Sequence, residues 1–296
     1  MPELPEVETM VRGLRPALEG RTLRAICVDD PHLLQGCTAE EIGRRGGGAK
    51  VRSVGRRGKW VVVRLDGDNG TIVIQPRMTG GFSLVEPDRP AHVRLTFHVE
   101  RPDQKIWYVD ARRLGKIAWH ADDAGAALAF GRSHGPDALE IGAAELAERF
   151  AKTARGIKPT LLDQKVLAGI GNIYADEILH KAGVHPERVA RDLTAGEVGR
   201  IHAAIVPILE AAIASAGSSF DRHYKTVLGV EGGYLSQSRV HRRKGLACPA
   251  CGGVILKTKI AGLIGRPTYL CPVCQPAGGG EEDPHPSPLP GHREGG

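Results

Sequence analysis

The sequence predicts a two-domain α+β protein, in which a β-sandwich with a leading helix precedes a helical domain and a small cysteine-rich hairpin. Three observations carry this prediction. Short β-branched runs fill the first part of the chain, helical spacing takes over after about residue 133, and four of the six cysteines form two close pairs near the C-terminus. A chain of 296 residues is also longer than one hydrophobic core usually supports.

The first predicted element is a helix from residue 6 to about residue 19. Pro5 stands before or at its first turn, where proline is tolerated because that N–H has no partner within a helix. Apolar residues recur on one face at helical spacing. They are Val7, Met10, Val11, Leu14 and Leu18. We expect this helix to hold residues 2–4 in a fixed place.

A series of short strands follows, each rich in β-branched residues and bounded by turn residues. The predicted strands are 22–28, 51–54, 60–65, 71–74, 92–98, 106–110 and 116–120. Asp66-Gly67-Asp68-Asn69-Gly70 between the third and fourth is a strong hairpin signal. Gly46-Gly47-Gly48 is expected to be a flexible turn between strands. Many short strands with regular turns are typical of a sandwich.

The second half is predicted to be helical and then cysteine-rich. The predicted helices are 143–153, 159–163, 172–182 and 194–215. Thr194 followed by Glu197 is a capping-box signature, which defines the start of the last helix. The predicted domains are therefore 1–133, 134–238 and the hairpin 239–275. Residues 276–296 are rich in Pro and Gly with almost no apolar residue, so we expect them to be disordered.

Charge and hydropathy limit the possible partners and locations. No apolar run approaches the ~20 residues that span a bilayer, and no signal peptide is visible, so we expect no membrane partner and a cytoplasmic, bacterial protein. The net charge of +6 fits either simple solubility or a polyanion partner. Its distribution favours nucleic acid, because residues 239–275 hold seven Lys or Arg and no Asp or Glu.

The paired cysteines predict one structural zinc ion. Cys248 and Cys251 form one CxxC pair, Cys271 and Cys274 form another, and 19 residues separate the pairs. Four thiolates complete a tetrahedral zinc site and leave no open position for a water molecule. Two disulfides or a catalytic zinc ion are the alternatives. We expect the hairpin between the pairs to be a basic finger.

Several shorter motifs combine basic, apolar and glycine residues in loops. Gly169-Ile-Gly171-Asn172 opens a helix, with Asn172 as its expected N-cap, and fits either an anion site or close helix packing. The segment from Arg56 to Trp60 is a basic cluster at a strand start, or a solvated turn. Two loops, 75–80 and 110–115, each join an arginine to an apolar side chain, a combination that fits insertion into a DNA duplex or ordinary strand ends.

The N-terminus offers a nucleophile. Methionine is usually removed before a small residue, which would make Pro2 the terminal residue with a secondary amine. An α-amino group has a pKa near ~8, so part of it is neutral and nucleophilic at physiological pH. Such an amine can attack C1′ of a deoxyribose and form an iminium with the opened sugar, while Glu3 moves protons. An ordinary terminus is the alternative.

PELPEVET, RRGKW, GIGNIYADE and the paired CxxC ending in CPVCQ occur in this order, and together they closely resemble the bacterial formamidopyrimidine-DNA glycosylase family of 8-oxoguanine DNA glycosylases. The resemblance covers about residues 2–275. It implies a helix–two-turn–helix domain, a zinc-finger hairpin and a monomer that acts on damaged double-stranded DNA. The implied activity is excision of oxidised purines followed by strand cleavage through β,δ-elimination.

The resemblance also implies a role for each matching residue. Pro2 would be the Schiff-base nucleophile, Glu3 the proton donor and Glu6 a supporting acid in the pocket. Lys59, Asn172 and Arg266 would hold backbone phosphates. Met78 and Arg112 would fill the gap left by the flipped base, and Leu114 takes the place of the family's wedge beside the orphan base.

The chain departs from the family pattern at three places. Gln75-Pro76-Arg77-Met78 replaces His-Leu-Gly-Met, Leu114 replaces phenylalanine, and His241 stands where tyrosine is common. We expect these changes to affect the preferred opposite base, since leucine stacks less well than an aromatic ring. Two rival functions stay open at this point: an endonuclease VIII-like glycosylase for oxidised pyrimidines, and a non-catalytic zinc-dependent protein that binds DNA lesions.

Overall fold

The computed structural model describes residues 2–219 and 225–278, and the chain divides into two compact units. The first unit is Met1–Asp137 with Glu210–Leu235, and the second is Ala138–Leu209 with Ser236–Gly296. The predicted domain boundaries stay a prediction; the compact units differ from them because residues 210–235 pack with the first unit. Most of the predicted disordered tail, from residue 279 onward, lies outside the described residues.

The first unit consists of an N-terminal helix and two antiparallel sheets. Helix α1 spans Leu4–Leu18, two residues earlier than expected, and the apolar face predicted for it is buried. Within the described part of this unit each sheet has four strands, in the orders β1-β6-β7-β5 and β2-β3-β4-β8. The strands are β1 Leu23–Val28, β2 Val51–Arg57, β3 Trp60–Leu65, β4 Thr71–Gln75, β5 Gly80–Ser83, β6 Val93–Val99, β7 Gln104–Asp110 and β8 Lys116–His120.

One hydrophobic core joins α1 to both sheets. Met10 and Leu14 of α1, Val63 of β3, Ile74 of β4 and Phe97 of β6 all belong to it and are fully buried. Burial of such a side chain contributes about 1.5–3 kcal/mol. The core therefore fixes the orientation of α1, and with it the residues at the very start of the chain.

Among the described residues of the first unit, two α-helices and one strand were not predicted. They are α2 Ala39–Gly46, α3 Asp123–Ser133 and the short β5. The expected turn at residues 46–48 is present only at Gly47 and Gly48, and it follows a helix instead of a strand. Gly46 ends α2, and a Cβ at Gly46 would lie 2.3 Å from Cδ1 of Ile26. Helix α2 was not predicted because it is short and has only one large apolar residue, Ile42. Thr38 is its N-cap and accepts a hydrogen bond from the Glu41 N–H at 3.1 Å.

The second unit contains most of the helices and the hairpin. Its elements are α4 Ala143–Ala151, α5 Ile157–Leu162, α6 Asn172–Ala182, α7 Ala195–Ala214, whose last turn belongs to the first unit, and the antiparallel strands β9 Leu256–Thr258 and β10 Thr268–Leu270. The capping box is present, because Thr194 and Glu197 exchange hydrogen bonds of 2.8 and 3.2 Å. The prediction of Asn172 as N-cap was wrong: Gly171 is the N-cap and Asn172 is the first helical residue.

The predicted α+β class, with β-sheets first and a helical domain with a cysteine hairpin second, is confirmed. Among the helices formed by residues 2–219 and 225–278, none has the length and apolar character needed to cross a membrane.

Candidate active site, nucleic-acid interface and metal centre

The N-terminal residues are buried and held by hydrogen bonds, although a chain terminus is normally the least constrained part of a protein. Pro2 is buried, and Glu3 and Glu6 are 3% and 2% exposed. Glu3 is the N-cap of α1, and its backbone N–H donates to Oε2 of Glu6 at 2.8 Å. Because Glu6 belongs to the first turn of α1, this contact ties the start of the chain to the helix.

The other oxygen of Glu6 holds a segment more than 200 residues away in sequence. Oε1 accepts a hydrogen bond of 2.7 Å from the backbone N–H of Ser218. The preceding Gly217 has a φ of +79°, and a Cβ there would lie 2.9 Å from both Cγ and Oε1 of Glu6. Glycine is therefore required at 217 for its backbone conformation and for the space that Glu6 fills.

Lys59 is 7% exposed and lies in the tight turn between β2 and β3. The preceding residues hold this turn through Asp137, which is 2% exposed. Asp137 accepts hydrogen bonds of 2.6 and 2.9 Å from the guanidinium of Arg56 and one of 2.8 Å from the N–H of Gly58. Such a paired contact with a carboxylate fixes both direction and distance.

The same turn has two further anchors. Arg56 also contacts Glu8 of α1 at 3.2 Å, so the Lys59 turn is connected to the N-terminal helix. On the other side, Nε1 of Trp60 donates to Nε2 of His134 at 3.1 Å. Burial, together with the charges of Arg57 and Lys59, lowers the pKa of His134, so the imidazole is kept neutral and able to accept this bond.

Asp110 joins the two loops that carry Met78, Arg112 and Leu114. It is fully buried at the end of β7. Its carboxylate accepts hydrogen bonds from the Thr79 hydroxyl, from the Arg112 N–H at 3.2 Å and from the Gly115 N–H at 2.7 Å. One carboxylate therefore determines the relative position of both loops.

The side chains that these loops present are open to solvent. Met78 is 41% exposed, Leu114 is 40% exposed, and Arg112 is exposed as well. Arg113, which has a φ of +55°, reaches back to Asp30 with contacts of 2.6 and 3.0 Å. The hydrogen bond from Arg113 lowers the pKa of Asp30, which keeps that carboxylate charged. The two loops, which are held by Asp110, thus expose two apolar side chains and one arginine to solvent.

In the second unit, Asn172 and Arg266 are brought together at Pro267. Nδ2 of Asn172 donates to the Pro267 carbonyl at 3.0 Å, and Arg266 is the preceding, exposed residue. Nζ of Lys158 donates to the same carbonyl at 3.2 Å. A groove of about 790 Å³ follows the hairpin loop, and its basic lining residues are Lys244, Lys257, Lys259 and Arg266.

A buried polar network holds α6 against the hairpin. Lys158 and Asp176 form an ion pair of 2.7 Å and are both fully buried. Asp176 also contacts Nδ1 of His241 at 2.8 Å, while the Glu177 carboxylate accepts the N–H groups of residues 239–241 at 2.8–3.0 Å. Buried charges of this kind persist only where partners satisfy them, so the contacts define one arrangement of α6 and hairpin.

The four predicted cysteine ligands converge. Their sulfur atoms all lie within 4.8 Å of one another, with 3.8 Å between Cys248 and Cys274 and 3.4 Å between Cys251 and Cys271. A tetrahedral Zn–S₄ site with bonds of ~2.3 Å has sulfurs about 3.8 Å apart, whereas a disulfide bond is ~2.05 Å long. All four thiols are free, so the disulfide alternative is wrong.

Sequence reasoning did not identify the residues that hold these sites in place. Asp110, Asp137, Lys158, Asp176 and Ser218 were not singled out as site residues. The three acids and Lys158 are charged residues at buried positions, but burial of a particular charged residue is not visible in a short motif. Ser218 takes part through its backbone N–H, for which a side-chain motif carries no signal.

Known proteins match most of the chain. Residues 1–117 match the model of the formamidopyrimidine-DNA glycosylase N-terminal domain, and residues 134–223 match that of the formamidopyrimidine-DNA glycosylase H2TH domain. The formamidopyrimidine-DNA glycosylase of Desulforamulus reducens is 36% identical over 281 residues, which cover 94% of this chain and 100% of that protein.

Solved structures agree. The Lactococcus lactis Fpg in complex with DNA containing an abasic site has a TM-score of 0.82 at 30% identity, with 93% of this chain and 99% of that chain covered. The crystal structure of the MutM (Fpg) protein from Thermus thermophilus has a TM-score of 0.81 at 35% identity, with 93% and 98% covered.

The fold and these matches define the class of protein as a DNA-repair glycosylase with an H2TH domain. The chain belongs to the formamidopyrimidine-DNA glycosylase family, whose members are glycosylase/AP lyases for oxidised purines in base-excision repair. The predicted family and enzyme class are confirmed, and so is the predicted function at the level of a DNA glycosylase for oxidised purines in base-excision repair.

Proposed function

We propose that this protein excises 8-oxoguanine and formamidopyrimidines from DNA through a Schiff base on Pro2 and then cleaves the strand by β,δ-elimination. The observation that carries this proposal is the buried N-terminus, in which both oxygens of Glu6 hold backbone N–H groups, one from Glu3 and one from Ser218. The first residues of most domains are poorly ordered unless they are tied down, so a start of the chain that is buried and held on both oxygens of Glu6 supports a chemical role for Pro2.

In the proposed covalent step the terminal amine attacks the sugar. The lone pair of the Pro2 nitrogen forms a bond to C1′, and the glycosidic bond breaks with its electron pair leaving on the base, which takes up a proton. The Pro2 nitrogen then loses its proton, O4′ takes up a proton as the C1′–O4′ bond breaks, and the opened sugar is left as an iminium between Pro2 and C1′. Loss of a C2′ proton expels the 3′ phosphate, a second elimination expels the 5′ phosphate, and water then releases Pro2.

Glu3 is the group proposed to move protons in these steps, because it is adjacent to Pro2 and 3% exposed. Glu6 supports it by holding the Glu3 backbone at 2.8 Å. Lys59 is proposed to bind a phosphate beside the lesion, and the hydrogen bonds of Arg56 and Gly58 to Asp137 give its turn a single conformation.

The proposed DNA contacts fall into two groups. Asn172 and Arg266 bind backbone phosphate, supported by their common connection to Pro267 and by the basic groove beside Arg266. Met78, Arg112 and Leu114 fill the space left by the flipped base, supported by their exposure on loops joined through Asp110. The partner is damaged double-stranded DNA, bound by a monomer in a bacterial cytoplasm, and binding weakens as salt rises.

One structural zinc ion bound by Cys248, Cys251, Cys271 and Cys274 completes the proposal. The sulfur separations of 3.4 and 3.8 Å support a tetrahedral tetrathiolate site. With four protein ligands the ion stabilises the hairpin that carries Arg266 and supplies no step of the reaction. The residues of the hairpin then determine the position of Arg266.

Borohydride trapping tests the nucleophile. We expect the protein to give a covalent adduct with a duplex that contains 8-oxoguanine, and Pro2→Gln to abolish it, because a bulky second residue retains the initiator methionine. Pro5→Ala is the matched control: it removes a buried proline of the same helix start without changing the terminal amine. Intact mass spectrometry verifies the N-terminus of each protein. An adduct yield for Pro2→Gln equal to that of wild type would overturn the assignment.

Further assays on the same wild-type protein distinguish the proposed function from the two rival functions. The family matches favour oxidised purines over the pyrimidine substrates of an endonuclease VIII-like enzyme, and an excision panel that contains both lesion classes tests this preference. A non-catalytic lesion-binding protein would bind the duplex but yield no adduct and no strand break with wild-type protein.

A further inference from the structure

A histidine of α6 lies against one of the four cysteine sulfurs. His180 is fully buried, and its Nε2 is 3.3 Å from Sγ of Cys248, which is 3% exposed. This distance is within the range of an N–H···S hydrogen bond. Burial of an imidazole nitrogen without a partner is unfavourable, and the contact with Cys248 provides a partner for Nε2.

Metal binding determines the direction of this hydrogen bond. A cysteine bound to zinc is a thiolate and has no proton to donate. His180 is then the donor, with the hydrogen on Nε2, and Cys248 is the acceptor. Four thiolates around one divalent ion carry a net negative charge, and a donor aimed at one sulfur reduces that charge and fixes the ligand's position.

His180 differs in origin from the other groups near these sulfurs. The N–H groups of Ala250 and Gly253 lie 3.5 and 3.4 Å from the sulfurs of Cys248 and Cys251, and both come from the metal-binding turn itself. His180 instead comes from α6, the helix that begins at Asn172. The contact therefore joins the metal site to the helix whose first residue is a proposed phosphate contact.

We propose that His180 is a positioning residue of the metal centre: its Nε2–H holds the Cys248 thiolate and slows loss of the metal ion. This inference rests on the proposed zinc site. It assigns His180 no role as a ligand, because the four sulfurs already complete a tetrahedral sphere.

The test measures metal release from the full-length protein. Zinc-loaded wild type, His180→Phe and His180→Gln are mixed with excess chelator, and the appearance of zinc is followed with a colorimetric indicator. Loss of outer hydrogen bonds to metal ligands typically weakens metal binding about 10- to 100-fold. We expect His180→Phe to release zinc about 10- to 100-fold faster than wild type. His180→Gln keeps an N–H donor, so its release rate should fall between those of wild type and His180→Phe.

The matched control is His202→Phe. His202 belongs to the same unit and hydrogen-bonds the Ile141 carbonyl at 3.0 Å rather than a sulfur. We expect its release rate to match that of wild type. If His180→Phe also releases zinc at the wild-type rate, the proposal is wrong. If wild-type protein binds no stoichiometric zinc, the zinc site itself is wrong, and the two failures are therefore distinguishable.

Cobalt substitution provides a readout that general loosening of the fold does not move. With Co²⁺ in the site, thiolate-to-metal charge-transfer bands report the donor strength of the sulfurs. Removal of an N–H···S hydrogen bond makes the thiolate a stronger donor, so we expect these bands to shift to longer wavelength in His180→Phe and to stay in place in His202→Phe. An unchanged spectrum in folded His180→Phe would overturn the proposal.

Discussion

Glu6 joins the beginning of the chain to Ser218. One of its oxygens accepts the Ser218 N–H at 2.7 Å while the other accepts the N–H of Glu3 at 2.8 Å. The residue beside the proposed nucleophile and the segment after α7 therefore share one carboxylate. A substitution that displaces the Glu6 carboxylate alters both hydrogen bonds at once. The contact between Glu6 and residues 217–218 is therefore the most direct place to test the site.

Gly217→Ala is expected to slow base excision by at least about tenfold. The new Cβ would lie 2.9 Å from Cγ and Oε1 of Glu6, and the positive φ adds about 1–2 kcal/mol of backbone strain. The control is Gly229→Ala, which has a similar φ of +82° but no atom within 4 Å of its Cβ. Single-turnover excision of 8-oxoguanine measures the difference. Equal rates for the two variants would show that the Glu6 contact is irrelevant to catalysis.

Asp110→Asn is expected to weaken discrimination between bases opposite the lesion. The amide nitrogen would face N–H donors of Arg112 or Gly115, and a buried mismatch of this kind destabilises by about 1–3 kcal/mol. The loops that carry Met78 and Leu114 then lose their common support. Excision from duplexes with each base opposite 8-oxoguanine measures the effect. Asp103→Asn, an exposed acid of the same unit, is the control and should leave the profile unchanged; a wild-type profile for Asp110→Asn would contradict the role assigned to the loops.

Leu114→Phe is expected to tighten binding to lesion-containing duplex. An aromatic ring stacks on a base, and such contacts contribute about 0.5–1.5 kcal/mol beyond area burial. Leu114 is 40% exposed, so the effect on the melting temperature should be small. Leu128→Phe changes another exposed leucine, on α3, and controls for nonspecific apolar contact. The measurement is the dissociation constant of each variant for lesion-containing duplex at a fixed salt concentration. Equal affinity of Leu114→Phe and Leu128→Phe would argue against a wedge role for position 114.

His134 is expected to make the first unit less stable as the pH falls. Its pKa is lowered in the folded state by burial and by Arg57 and Lys59, while the unfolded value is near ~6.5. The stabilisation is therefore fully present above the unfolded pKa and is lost as the pH falls through the folded pKa. We expect the melting temperature of wild type to fall more steeply below pH ~6.5 than that of His134→Gln, which accepts the Trp60 hydrogen bond without titrating.

His32→Gln provides the comparison for that measurement, because His32 is an exposed histidine of the same unit. Its melting curve should follow wild type across the pH range. If His134→Gln loses stability with falling pH as steeply as wild type, then the Trp60–His134 contact does not carry the pH dependence.

The predicted elements that matched best were those with strong local signals. Strands β3 and β8 and helix α6 have the predicted bounds, and α7 starts at the predicted capping box. The short β5 and helix α2 were missed because each is held by neighbours rather than by its own pattern: Gly81 of β5 pairs with Val109 of β7, and Gly46 of α2 packs on Ile26. Tertiary contacts override weak local preferences in such segments.

The family, the order of sheets, helices and hairpin, and the four converging cysteines can be predicted from the sequence, because each depends on motifs or periodicities that lie close together along the chain. The groups that hold the site in place can be identified only in the folded protein. Glu6 meets Ser218, Asp137 meets Arg56, Asp110 supports two loops, and His180 meets Cys248. These pairings join residues from different segments, and a buried polar group finds its partner only after the core has brought those segments together.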